Sequence, residues 1–468
     1  MSEPEHETVV RHAPTLTDAG NAQRFAQQHG DNVRYCYVQR SWYIWTGTHW
    51  HRDAGDRIMR LAKETARSLY LEAATAPDKD LRQATGTWAR HSEAAGRLAA
   101  MVSLAQSEPG IAIVLDQLDV DPWALNCTNG TLDLKTGTLR AHRREDLLTK
   151  CLPIGYDPAA PCPVFDAFLD RIMASNAAVM SFLQRGLGYA LTGDTREQVV
   201  FVGYGDGSNG KTTLLATAVT MLGDYAVSTG PETFMTKKPE HIPNDVARLK
   251  GTRLVLAVEA EAGQRLAEGL VKRMTGQDPM PARFLNQEWF EFLPTFKIFF
   301  MTNHRPEIRE TSHAIWRRVK LVPFTVTIPD DEQDKHLPDK LRAESAGILA
   351  WMVRGCLDWQ RDGLGEPDEV RAATAQYRED MDFLGDFLRD ECVREPEASI
   401  AARALYEIYQ AWATQGGQKK QLTETMFSLR LRARGLVKHK TNHGKMWLGL
   451  RRRDLTDTEP DWIHEETP

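Results

Sequence analysis

The chain has 468 residues, of which 42% are hydrophobic and 26% charged, with a formal net charge of −6. That length exceeds what one core supports and predicts roughly two to four domains, in a composition ordinary for soluble globular protein. No apolar run approaches the roughly 20 residues of a membrane helix, and the acidic balance confines any nucleic-acid binding to local basic patches.

Residues 1–20 are polar and acidic, unlike a signal peptide, and are expected to continue as a mobile arm to about residue 30. The six cysteines (Cys36, Cys127, Cys151, Cys162, Cys356 and Cys392) form no C-x-x-C pair, so neither zinc nor a disulfide framework is expected, and a reducing cytoplasm fits. Tyr35, Tyr37, Trp42, Tyr43, Trp45 and Trp50 crowd one span at near-alternate positions, which predicts strands of a small sheet; core packing is favoured over a base-stacking platform. Helical spacing follows from Ile58 to Leu69 and over about 80–106, and Thr131-Leu132-Asp133-Leu134 and Thr138-Leu139-Arg140 flank a hairpin turn. A proline-marked passage at 156–163 predicts a boundary, and helical spacing resumes over 165–191. Strand and helix signals then alternate to Phe324, which predicts an α/β layer fold. Residues 335–390 read as helices with Leu341, Ile348, Leu349, Met352 and Leu357 inside, and an acidic bridge at 390–396 is expected to lead to a last small domain.

Within the alternating region, Gly205-Asp206-Gly207-Ser208-Asn209-Gly210-Lys211-Thr212 reads G-x-x-x-x-G-K-T directly after the apolar run Val199-Val200-Phe201-Val202. Such a strand presents a loop whose backbone N–H groups cradle phosphates, with Lys211 on the outer phosphates and the Thr212 hydroxyl on Mg²⁺. The helix opening at Thr213 aims its positive end at the same anion, so the chain is expected to bind a nucleoside triphosphate with Mg²⁺. A second apolar strand runs from Leu254 into Glu259 and Glu261, which share a side if the strand persists. Glu259 is expected to hold Mg²⁺ and orient water; Glu261 reads equally as a second acid or a surface ion pair. A third strand ends in Asn303, an uncharged group suited to orienting water or sensing the outer phosphate. Arg317 and Arg318 are either surface charge or hold an arginine finger supplied to a neighbouring subunit.

Together these segments resemble the superfamily 3 helicases, in particular the phage/plasmid primase-helicase family with the poxvirus-type N-terminal region. The matching stretches are the phosphate loop, R-L-V-L-A-V-E-A-E-A-G, K-R-M-T-G-Q-D, A-R-F-L, F-K-I-F-F-M-T-N-H-R-P and A-I-W-R-R-V-K-L-V-P-F. Upstream, W-Y-I-W-T-G-T-H-W and D-P-W-A-L-N-C-T-N-G-T-L-D-L-K-T-G-T-L are similar to that family's N-terminal region, so the resemblance covers roughly 30–378. It implies an AAA+-like phosphate-loop ATPase core between an α+β N-terminal region and a C-terminal winged-helix domain, working as a hexameric ring on single-stranded and forked DNA in the host cytoplasm. Lys211, Thr212, Glu259, Asn303 and one of Arg317 and Arg318 carry the ATPase roles, and Lys272 and Arg283 fall in segments used around the central pore. The implied divisions are an arm (1–30), the N-terminal region (31–163), a helical linker (164–195), the ATPase core (196–330), a helical segment (331–390), a winged helix (397–455) and a tail (456–468). Three departures stand out: Ala260 separates the acids, Ser312 replaces an expected acid, and too few residues precede the aromatic region for a primase domain, which assigns priming to a separate protein.

Between Lys419 and Arg453 eleven lysines and arginines face one acid, Glu424. Helical spacing followed by two strand-like runs around Asn442-His443-Gly444 suggests a winged helix, with Arg430 and Arg432 on the recognition helix and Lys438, Lys440 and Lys445 on the wing. A solvated charged face is the plainer alternative. For the whole chain a replicative DNA helicase is expected; the alternative is an ATP-gated origin-binding or defence protein that binds DNA without processive unwinding.

Overall fold

The computed structural model describes residues 14–236, 244–259, 263–283, 288–310, 313–415, 421–441, 444–454 and 457. Contrary to the expected mobile arm, Asp18–His29 is a helix, capped where the Thr17 hydroxyl accepts from the Gly20 N–H at 3.0 Å. Its Ala22 and Phe25 are buried against Val33, Ile44, Ile58 and Met101. The aromatic span folds as the expected small sheet, in the order Trp50–Arg52, Ser41–Trp45, Val33–Cys36 and Ala112–Ile113. Tyr35, Tyr43 and Trp50 are buried, which settles these rings as core, while Tyr37 stays half exposed. Helices Arg57–Thr75, Lys79–Ser92 and Ala95–Ala105 complete this region.

The expected hairpin forms from Gly130–Asp133 and Thr138–Arg140, joined by Ala124–Cys127 into an antiparallel sheet. The predicted boundary at 156–163 is no break in packing. Leu125, Leu132 and Leu152 belong to one apolar cluster with Phe165, Phe182 and Leu187 of the following helices, and with Phe201 and Phe299 of the central sheet.

That central sheet has five parallel strands: β1 (Val200–Tyr204), β2 (Ala226–Thr229), β3 (Leu254–Val258), β4 (Lys297–Thr302) and β5 (Val319–Pro323), in the order β5-β1-β4-β3-β2. Alternate residues feed two cores. Phe201, Leu254, Leu256 and Phe299 point to one face, and Val202, Val255, Ala257 and Phe300 to the other. Burial on both faces explains why these strands read as continuous apolar runs. Helices Leu337–Ala343, Ser345–Asp362 and Asp368–Asp380 follow, with Leu341, Ile348, Leu349 and Met352 buried as expected and Leu357 half-buried.

The last module starts earlier than the sequence suggests. The 390–396 passage is no bridge: helix Phe383–Glu391 runs directly into strand Cys392–Ala401. Helices Ala402–Gln415 and Glu424–Ala433 and strands Lys438–Thr441 and Gly444–Arg452 complete it. Leu384, Phe387, Leu405, Tyr409, Phe427 and Trp447 form its own core. Among the described residues no helix is long and apolar enough to cross a membrane.

Candidate functional site

The glycine-rich loop leaves the carboxyl end of β1 and turns into helix Lys211–Leu222. Its path depends on missing side chains at two positions. A Cβ on Gly205 would lie 2.2 Å from the Phe324 carbonyl oxygen, and Gly210 combines φ +79° with a Cβ position 2.6 Å from Ile172. At Gly207 a Cβ would meet nothing within 4 Å, so that glycine leaves the approach open rather than relieving a clash. The Ile328 N–H donates to the Ser208 carbonyl at 2.7 Å, and the buried Asn209 amide donates to Asp206 O and Phe324 O, fixing the turn.

Lys211 is 4% exposed, and its ammonium donates to Gly205 O (2.7 Å), Asp206 O (3.1 Å), Asn209 Oδ1 (3.0 Å) and Asn303 Oδ1 (2.9 Å). Burial lowers its pKa, opposed by the carboxylates of Asp206 and Glu259. A buried cation at a helix N-terminus suits an anion with several oxygens. Thr212 is exposed and Thr213 half-buried in the first helical turn.

Strand order explains which distant residues arrive here. Because β4 lies between β1 and β3, Asn303, one residue beyond β4, reaches Lys211. Glu259, one residue beyond β3, follows on the next strand with its side chain exposed. Its backbone holds φ +62° and its N–H donates to Met301 O at 2.8 Å. That left-handed conformation costs a non-glycine residue about 1–2 kcal/mol, which aims the side chain away from the line of the strand. Glu261 and Ser312 lie outside the described residues.

Arg317 and Arg318 separate clearly. Arg318 is 8% exposed and spends its guanidinium inside the chain, on Ala314 O (2.7 Å), Gln198 Oε1 (3.0 Å) and Thr275 Oγ1 (3.2 Å). Arg317 is exposed and, among the described residues, is bonded at its tip to Gln198 Oε1 at 3.1 Å. Both precede β5, whose Val319 pairs with Val200, so they sit at the opposite end of the sheet from Gly205. The strand between them and that loop spans roughly 15 Å.

Lys272 is ion-paired with Glu310 at 2.7 Å, a partner the sequence did not announce. Arg283 follows the antiparallel pair Met280–Ala282 and Phe290–Phe292, with its guanidinium 5.0 Å from the ring of the exposed Trp289. Its buried Nε has no hydrogen-bond partner among the described residues.

In the last module the expected basic set divides. Arg432, Lys438 and Lys445 line a cleft of about 330 Å³ with Glu424, Thr425, Ser428 and Leu429. Burial lowers the Lys438 pKa, reinforced by Lys445 and Arg432, and Lys440 is exposed opposite Lys445. Arg430 does not join them. It is half-buried and donates to the Arg309 carbonyl of the central region, a correction that follows from helix phase, since residues two apart point about 200° apart. Arg434 pairs with Asp382, and Arg451 with Glu395 and Asp457, while Lys419 and Lys420 lie outside the described residues. Sequence reasoning missed Arg305, which pairs with Asp380 at 2.7 Å and lies 5.1 Å from the ring of Tyr204 at the end of β1. Its only signal was its place two residues after Asn303.

Three regions of the chain match known families. Residues 22–174 match the family described as D5 N terminal like, residues 203–318 a family of unknown function (DUF5906), and residues 379–446 the Poxvirus D5 protein-like family. The "Putative helicase L207/L206" of Acanthamoeba polyphaga mimivirus is 25% identical over 323 residues, 64% of this chain and 34% of that protein. The "Putative helicase 022R" of Frog virus 3 is 24% identical, covering 64% of this chain and 39% of the relative. A "Putative primase C962R" of African swine fever virus is 24% identical over 64% of this chain and 34% of its own length. The chain thus spans about a third of the length of the curated relatives it matches. Among solved structures, the apo C-terminal region of NrS-1 superposes with a TM-score of 0.51 at 10% identity, over 89% of this chain and 94% of that one.

The mixed α/β chain thus has a parallel central sheet between two D5-type regions, and the relatives it resembles carry the names "Putative helicase" and "Putative primase". Its regions at 22–174 and 379–446 are similar to those of the primase-helicase family of the D5 type.

Proposed function

We propose that this chain is an ATP-dependent replicative DNA helicase of a phage or plasmid-like element, built on an AAA+-like phosphate-loop core and a C-terminal winged helix. The observation that carries the reading is the meeting of Lys211 and Asn303 at the carboxyl edge of the sheet, with Glu259 on the next strand. In this reading the loop N–H groups and the helix N-terminus hold the phosphates, and Lys211 exchanges its four oxygens for those of the outer phosphates. The donor set fits a hard cation: the exposed Thr212 hydroxyl and the exposed Glu259 carboxylate would hold Mg²⁺, which supplies neutralisation of charge between the outer phosphates. Glu259 also orients the attacking water, and Asn303, once released by Lys211, faces the outer phosphate.

Arg317 is the finger in this reading, because it is exposed and lies at the far end of its own sheet, where only a neighbouring subunit's nucleotide is within reach. A ring, hexameric by resemblance, supplies that neighbour. Arg432, Lys438, Lys440 and Lys445 hold DNA phosphates, and Lys272 and Arg283 serve the pore, Lys272 by exchanging Glu310 for a phosphate. A primase and other replication proteins are the expected partners.

The test is hydrolysis and strand displacement on forked DNA. Lys211→Ala should abolish hydrolysis, and Glu259→Gln should bind ATP without turning it over. Near wild-type turnover by purified Lys211→Ala would sink the assignment, and hydrolysis without displacement by the wild type would favour a DNA-bound switch.

A further inference from the structure

Residues 303–310 form an irregular strap that touches the glycine-rich loop at one end and the last module at the other. Asn303 Oδ1 accepts from Lys211 at 2.9 Å. Arg305 lies against Tyr204 and is ion-paired with Asp380, and the Pro306 carbonyl accepts from the buried hydroxyl of Tyr377. The Glu307 N–H donates to Gln264 O at 2.8 Å, and its carbonyl accepts from the Leu266 N–H at 3.0 Å. At the far end the Arg309 carbonyl accepts from Arg430. A backbone pinned this often has little slack to absorb a displacement at one end before the other moves.

Arg430 stands on helix Glu424–Ala433, and the other side of that helix carries Arg432 into the cleft with Lys438 and Lys445. One rigid element therefore holds the strap on one side and a basic cleft on the other. At the nucleotide end, Asn303 and a phosphate compete for the same ammonium, whose three protons are already shared among four oxygens.

We propose that Arg430 is a positioning residue that couples phosphate-backbone occupancy of the basic cleft to nucleotide turnover, by shifting the strap and drawing Asn303 off Lys211. This rests on the nucleotide and DNA roles given above. DNA in the cleft frees Lys211 for the outer phosphate and raises turnover; without the Arg430 hydrogen bond, the cleft still fills but the strap does not respond.

The experiment uses the full chain and forked DNA, with three readouts: hydrolysis with and without DNA, DNA affinity, and deuterium exchange over 303–310. Arg430→Ala should keep basal hydrolysis and DNA affinity, while stimulation by DNA falls by about fivefold or more and exchange at 303–310 stops responding to DNA. Arg430→Lys, which still donates to the Arg309 carbonyl, should restore part of both responses. Paired substitution of Arg432 and Lys445 to Ala should instead lower DNA affinity first. Wild-type stimulation and exchange response in Arg430→Ala would overturn the proposal, as would a wild-type strap whose exchange ignores DNA. Failure of the nucleotide reading would show separately, as unimpaired hydrolysis by Lys211→Ala, and the exchange readout still decides whether the strap senses DNA.

Discussion

Two adjacent arginines of identical chemistry carry opposite burdens here, and substitution should separate them. Arg318→Ala removes a buried guanidinium and leaves Ala314 O, Thr275 Oγ1 and Gln198 Oε1 short of donors. The expected cost is about 2–4 kcal/mol, read as a lower denaturation midpoint. Arg317→Ala, at an exposed position, should change stability by no more than about 0.5 kcal/mol while lowering turnover by about 10³-fold if it completes a neighbour's site. Mixing Arg317→Ala with Lys211→Ala subunits should then recover some hydrolysis, at interfaces where an intact loop meets an intact arginine. A stable Arg318→Ala together with an active Arg317→Ala would reverse the assignment, and mixed rings with no recovery at any ratio would count against a shared site.

At the level of elements, the loop between β1 and its helix is shaped by neighbours on other segments. Gly205→Ala drives a methyl against the Phe324 carbonyl, whereas Gly207→Ala meets open space. Gly205→Ala should destabilise the chain by about 2 kcal/mol or more and Gly207→Ala by less than about 1, measured by urea unfolding. Equal effects would mean that the loop repacks. The motif and the strand before it were legible because a parallel strand buried on both faces leaves an unbroken apolar run. Strand Cys392–Ala401 was not legible: it pairs along one edge only and is largely exposed, so its Glu395, Pro396 and Glu397 read as a linker. Pro396 falls where the register shifts between Arg394 and Ser399, a place where a strand tolerates a residue without an N–H. The first helix was hidden for a related reason, because its core contribution rests chiefly on Ala22 and Phe25 in an otherwise polar stretch. Of the candidate site, residue types and order were readable along the chain. The hydrogen bond from Lys211 to Asn303 was not, since it depends on β4 lying between β1 and β3, and the inward turn of Arg430 depends on how its helix docks.

At the scale of the whole molecule, the last module is a separable unit with its own core, and where it is cut decides what a truncation reports. A chain ending at residue 397 keeps helix Phe383–Glu391 but loses the partners of Leu384, Phe387 and Leu388, and it severs a strand whose Ser399, Ile400 and Ala401 pair with Leu448, Trp447 and Met446. It should expose apolar surface and aggregate. Ending at residue 381 removes the module with its helix, and with it Arg432, Lys438, Lys440 and Lys445, while the glycine-rich loop, Glu259 and Asn303 remain. That shorter chain should stay monodisperse and keep basal hydrolysis, but bind forked DNA more weakly. Each DNA phosphate no longer neutralised by the protein lowers the magnitude of the slope of log affinity against log salt by about 0.7–0.9, so removing these four cations should lower it by roughly 3. Binding of full and truncated chains across a salt series measures this directly. An unchanged slope would place the DNA-holding charge elsewhere in the molecule and reduce the basic cleft to a solvated face, while an insoluble chain ending at 381 would show that the module supports the core it leans on through Arg430.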